Sequence, residues 1–84
     1  MEINAIKCPV CKDTIYSRAR HDFRYCSCKA VSIDGGLDYQ KVSWDDKISN
    51  FEDILHIKLN IQASSQDLYK DWNTQKNKFG QIKA

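Results

Sequence analysis

The chain has 84 residues, 13 Lys and Arg against 11 Asp and Glu for a net charge of +2, and four cysteines. One domain of this size buries too little surface for its core alone to hold it firmly, and a structural metal, bound only in the folded state, is a common supplement. The small net charge argues against a strongly electrostatic nucleic-acid binder, and no run approaches the roughly 20 apolar residues of a membrane span.

Residues 1–6 lack the basic start and apolar run of a signal peptide, which predicts a cytoplasmic protein. In that compartment the cysteines are expected as reduced thiols or metal ligands, not as disulfides. Ile3 and Ile6 punctuate a short strand over Glu2–Lys7. Cys8-Pro9-Val10-Cys11 then reads as a metal knuckle, two thiolates on one turn able to grip one ion. Lys12 follows where a left-handed residue is expected, at some steric cost for a side chain. Thr14-Ile15-Tyr16 looks like a return strand.

Ser17–Asp22 is strongly polar and is expected as an exposed loop between two knuckles. All three arginines of the chain, Arg18, Arg20 and Arg24, fall in or just after it. One reading makes Arg18, Arg20, His21, Asp22, Phe23 and Arg24 a binding loop, with arginines on phosphates and Phe23 or Tyr25 stacking on bases. A second makes His21 and Asp22 an acid–base pair, although neighbours in an extended chain point to opposite sides. The plainest reading is a solvated charged loop.

Phe23–Cys26 alternates as a strand entering the second pair, Cys26-Ser27-Cys28, whose cysteines share one side of an extended chain. Two cysteine pairs separated by fourteen residues favour a single zinc ion over buried thiols or a redox pair. Four thiolates fill the tetrahedron, so Cys8, Cys11, Cys26 and Cys28 predict one structural zinc per chain, closed to substrate. An iron–sulfur centre also takes four cysteines and remains the competing metal.

Lys29–Ile33 is β-prone, and Asp34-Gly35-Gly36 signals a tight hairpin turn. Leu37–Trp44 is expected as the returning strand, with Tyr39 and Trp44 in the core. Asp45–Asp53 reads as a turn or short helix. Leu55, Ile57, Leu59 and Ile61 alternate with His56, Lys58, Asn60 and Gln62, the pattern of a half-buried strand with His56 on its polar side. Ser64 and Asp67 sit as N-cap and N3 of a capping box. The helix that follows is placed at about 65–79, with Leu68, Tyr69, Trp72 and Phe79 on one side and Gly80 as its stop. Tyr69 and Trp72 are either its packing face or a surface for a partner.

These elements predict an α+β fold in one domain, 1–84. Its first part, 1–44, is a small four-cysteine zinc ribbon of short antiparallel strands; a strand and a C-terminal helix follow over 45–84. Cys8-x-x-Cys11, Ser17-Arg18-x-Arg20-His21-Asp22-Phe23, Cys26-x-Cys28 and Asp34-Gly35-Gly36-x-Asp38-Tyr39 together resemble a family of small zinc-ribbon-like proteins of unknown function. Its members are encoded by bacteriophages and bacteria, and the likeness covers about residues 6–44. Members usually carry Gly after each cysteine pair, where Lys12 and Lys29 stand here. The resemblance implies a metal site and joins the Arg-His-Asp-Phe and Asp-Gly-Gly-x-Asp-Tyr segments into one feature; it implies no activity. The expected function is that of a non-enzymatic phage or mobile-element accessory protein binding a host protein. The alternatives are a nucleic-acid-binding ribbon using Arg18, Arg20, Arg24 and Lys29, and a small metal-dependent nuclease using His21 and Asp22.

Overall fold

The computed structural model describes residues 1–84 and contains seven short strands and one α-helix. In chain order they are β1 (Glu2–Lys7), β2 (Thr14–Ile15), β3 (Arg24–Tyr25), β4 (Val31–Asp34) and β5 (Lys41–Trp44). A 3₁₀ turn (Phe51–Asp53) follows, then β6 (Leu55–Asn60), α1 (Ser65–Asn73) and β7 (Gln81–Ile82). The strands form two antiparallel sheets, ordered β6-β1-β2-β7 and β3-β4-β5.

The larger sheet is the middle of three layers, because both its faces are apolar. Ala5 pairs with Ile57 and Ile3 with Leu59, and this face is closed by Leu68 of α1 together with Tyr16. Ile6 pairs with Ile15 on the opposite face. There they pack with Val31 and Ile33 of β4, with Ile48 and with Ile54. The alternation that the sequence shows over 55–61 therefore pairs β6 with β1, so strands from both halves of the chain share one sheet.

Several expectations are corrected. Ser17–Asp22 is not an exposed loop: Ser17, Arg18, Ala19 and Asp22 are buried, and only Arg20 and His21 face solvent. The reason is a set of charge partners far along the chain, described below. The strand expected over Leu37–Trp44 is confined to Lys41–Trp44. Gly35 and Gly36 have φ of 113° and 56°, and the N–H groups of Asp38 and Tyr39 both return to the Gly35 carbonyl, so residues 35–40 form a wide turn. Tyr39 and Trp44 lie outside the core, each nearly half exposed.

The helix starts as expected, with the reciprocal Ser64–Asp67 capping box, but ends at Asn73, not near 79. Gln75 and Lys76 interrupt the apolar stripe, Gln75 and Asn77 turn left-handed (φ 57° each), and the chain doubles back. Phe79 then packs beside the Leu68 cluster from outside the helix. Gly80 lies where a Cβ would come 2.8 Å from Arg24 Nε. Strand β7, which no sequence pattern announced, pairs with β2 and completes the sheet.

Candidate functional site

Each cysteine pair sits at the tip of a hairpin. Cys8 and Cys11 lie between β1 and β2 of one sheet, and Cys26 and Cys28 between β3 and β4 of the other. Both turns are closed alike: the N–H of Lys12 bonds the Cys8 carbonyl and that of Lys29 the Cys26 carbonyl, each at 3.0 Å. Both lysines are left-handed, φ 67° and 61°, as the turn demands. A side chain there costs about 1 kcal/mol.

The four sulfurs all lie within 4.8 Å of one another. Cys8 and Cys28 are 3.6 Å apart and Cys26 and Cys28 3.5 Å. Four thiolates about 2.3 Å from one zinc ion stand about 3.8 Å apart, so the cluster has the dimensions of a mononuclear site. Burial pushes the Cys26 thiol up to about 12 and raises Cys8 as well. At Cys11 the upward push of burial is overcome by backbone N–H groups of Asp13 and Cys28, which hold it at about 7. Four like charges this close are strongly unfavourable without a cation among them. The donor set therefore fits a metal ion, with Cys8 and Cys26 sealed in the core and Cys11 and Cys28 at its rim. Lys47 Nζ donates to the Cys28 carbonyl at 3.0 Å.

Asp13 ties the two tips together. It is buried, and its Oδ2 accepts the N–H of Ser27 (2.9 Å), the Ser27 hydroxyl and the Gln81 amide (2.8 Å). Its Oδ1 accepts the N–H of Ala84 at 3.1 Å. One carboxylate thus joins the first knuckle, the second knuckle and the end of the chain. The Ser27 hydroxyl, against the opposing cost of burial, holds the Asp13 carboxyl far below the ordinary carboxylate range. A group depressed in this way stabilises the fold above the unfolded-state value of about pH 4, and that contribution is lost as pH falls below it. Asp13→Asn is expected to cost about 3 kcal/mol at neutral pH and to flatten the acid limb of stability. Urea titrations of both proteins across that range test this. Equal stability, or an unchanged acid limb, would show that Asp13 is not the tie.

The second constellation is built around Arg18. Its Nε and Nη2 meet Asp22 Oδ2 and Oδ1 at 2.7 and 3.1 Å, while Nη1 reaches Asp71 Oδ2 at 2.8 Å and Asn77 Oδ1 at 3.1 Å. Asp22 also accepts the Arg18 N–H at 2.9 Å, and Asp71 accepts the N–H groups of Lys78 and Phe79. Burial raises and Arg18 lowers the Asp71 carboxyl, and the arginine prevails. Arg24 also turns inward. Its Nε is buried without a partner, and burial, then the Arg18 guanidinium, push its proton affinity down.

These distances redistribute the expected binding loop. Arg18, Asp22 and most of Arg24 belong to the interior, and both oxygens of Asp22 are engaged by Arg18. His21 and Arg20 remain at the surface, and Phe23 and Tyr25 are exposed in a stacked pair with centroids 6.4 Å apart. The Ser17 hydroxyl lies 2.8 Å from the Ala19 and Asp22 carbonyls and accepts the Gly36 N–H at 3.0 Å. A Cβ on Gly36 would come 2.6 Å from the Ala19 backbone, so the 18–22 turn and the Gly35-Gly36 turn are packed directly together. Next to this contact a groove of about 320 Å³ runs between Ala19–His21, Leu37–Asp38 and the Tyr69–Trp72 face of α1. The two rings stand edge-on, 5.6 Å apart. The loop and the helix face, separate candidates in the sequence, share one concavity.

Asp13, Asp71, Asn77 and Gln81 escaped sequence reasoning. Asp71 alone carried a signal: it sits three residues after Leu68, which places a carboxylate on the buried side of the helix and demands a cation opposite.

Two hairpin tips bearing four clustered thiols, on small antiparallel sheets with one helix, define a small protein with a possible metal-binding site. Residues 2–44 match the family described as a domain of unknown function, DUF7695, and the chain belongs to that family. The match spans β1 to β5 and all four cysteines. No curated protein and no solved structure matched the chain. No helix is long and apolar enough to cross a membrane.

Proposed function

We infer that this chain is a non-enzymatic binding module, stapled by one structural zinc ion, whose partner is a protein held in the groove between the Ala19–His21 turn and α1. The observation that carries this reading is the convergence of Arg20, His21, Leu37, Tyr69 and Trp72 on one concave surface. Aromatic and arginine side chains around a pocket are the usual anchors of protein interfaces. The zinc supplies no chemistry to a substrate, because four cysteines occupy its whole tetrahedron. The engagement of Asp22 by Arg18 leaves His21 without a carboxylate partner, which supports a non-enzymatic role over a nuclease. The sequence likeness to phage and bacterial proteins supports a phage or mobile-element accessory protein in the host cytoplasm, with a host protein as the partner.

Zinc is preferred to an iron–sulfur cluster because four sulfurs within 4.8 Å of one another suit one ion better than a cluster. Elemental analysis is expected to return about one zinc per chain. For the groove, affinity purification from host cells identifies the partner, and titration with Tyr69→Ala and Trp72→Ala measures its contacts. Each is expected to weaken binding by up to about thirtyfold, with the urea midpoint confirming a folded variant. Undiminished binding by both folded variants would overturn the reading.

Phe23 and Tyr25 favour a second reading, a single-stranded nucleic acid stacked on these rings near Lys29. With Arg18 buried, only Arg20 and Lys29 of the expected cations are exposed, so this reading ranks below the first. Gel shifts at low salt with single-stranded DNA and RNA, repeated with Phe23→Ala, decide it.

A further inference from the structure

We propose that two copies of this chain associate through the free edge of β6, antiparallel about a two-fold axis at Ile57, joining their larger sheets into one. The parity of the β1–β6 hydrogen bonds leaves this edge open. Met1 and Ile61, the pair just beyond the strands, exchange both backbone bonds, at 2.6 and 2.8 Å. Exchanging pairs alternate along an antiparallel ladder, so Leu59, Ile57 and Leu55 also bond toward β1. His56, Lys58 and Asn60 then turn their N–H and C=O groups outward, at the end of the sheet order. No bulge or proline interrupts the strand, and such an edge is a template for another strand.

The surroundings also want covering on both faces. Leu55 is 56% exposed on the helix side of the sheet. On the opposite side Trp44 and Phe51 stack at 5.4 Å, about half exposed, over a cavity of about 240 Å³ that reaches Val42, Ile54 and His56. A strand laid along β6 sends successive side chains to both sides and covers both at once.

Self-pairing fits the residues of β6. About Ile57, Leu55 stands opposite Leu59 of the copy and Ile57 opposite its own equivalent, which continues the apolar row under α1. His56 stands opposite Lys58 of the copy, and these positions exchange the outward hydrogen bonds. Charge selects this register over the neighbouring one centred on Lys58, which would oppose two ammonium groups. Lys58 is also drawn back toward Glu2 of its own chain, 3.8 Å away.

Sedimentation equilibrium of the zinc-loaded full chain, from about 10 µM to 1 mM, tests the association, a range suited to a small interface. The mass is expected to rise from 9.8 kDa toward twice that value. Lys58→Pro removes an outward N–H that β1 does not use, and is expected to stay monomeric while keeping its fold. Exposed His56 offers a second test that spares the fold. His56→Glu is expected to tighten the dimer roughly fivefold, and His56→Lys to weaken it by a similar factor. A monomer throughout, an association that Lys58→Pro leaves intact, or identical behaviour of the two His56 variants would overturn the proposal. So would an edge that accepts only an extended segment of another protein.

Discussion

Cys26→Ser is expected to abolish the fold. Cys26 is sealed in the core between the sheets, and its sulfur is one of four that lie within 4.8 Å of one another. Zinc bound by four thiolates contributes about 10–16 kcal/mol at neutral pH. The net stability of a domain this small is about 5 kcal/mol. Removing one ligand therefore withdraws more than the fold has to spare, and leaves the two hairpin tips joined by the polar contacts of Asp13, Ser27 and Gln81. Amide dispersion in NMR spectra and the zinc content by elemental analysis should fall together in the variant. A chelator added to the unmodified protein should produce the same spectrum. Because the ion displaces protons from thiols that burial pushes up, loading is favoured as pH rises and reversed as it falls. A folded Cys26→Ser protein with a full zinc complement would refute the structural role of the site.

Arg18→Met carries the next largest effect. Two carboxylates, on Asp22 and Asp71, are buried against this one guanidinium. Deleting it leaves them uncompensated, at an expected cost of about 4 kcal/mol. Restoring neutrality by also replacing Asp22 and Asp71 with Asn should recover much of the loss, because removing both members of a buried pair costs far less than removing one. Arg18→Lys is expected to fall between, since a lysine cannot serve the fork of Asp22 and reach Asp71 together. Urea titrations of the set measure each step. An Arg18 that served as a surface contact for phosphate would give the opposite result, unchanged stability and altered binding. By contrast, the Arg20–Asp38 contact, 4.0 Å long and about two-thirds exposed on both sides, should be almost silent in stability.

The two arginines differ although they stand two residues apart in one motif. Arg18 faces inward because Asp71 and Asn77 await it, 53 and 59 residues further along the chain. Arg20 faces outward because nothing buried is opposite. The helix end follows from the same partner: Asp71, held by Arg18, takes the N–H groups of Lys78 and Phe79, and the chain bends back to deliver them. That bend brings Gly80 against Arg24 and sets β7 beside β2.

What the amino-acid order determined by itself was local. Cysteine spacing marked the four clustered thiols, Ile3 and Ile6 marked β1, and alternation marked β6. Ser64 and Asp67 marked the start of α1, while the turn chemistry of Lys12, Gly35 and Gly36 gave their left-handed backbones. Each of these depends on neighbours within a few residues. Only the tertiary structure decided which charged groups are interior, where the helix ends, that Tyr39 and Trp44 lie outside the core, and that the Arg20–His21 turn and the Tyr69–Trp72 face meet in one groove. A buried ion pair is favourable only once its partners have been brought together, and no local pattern encodes a partner half a chain away.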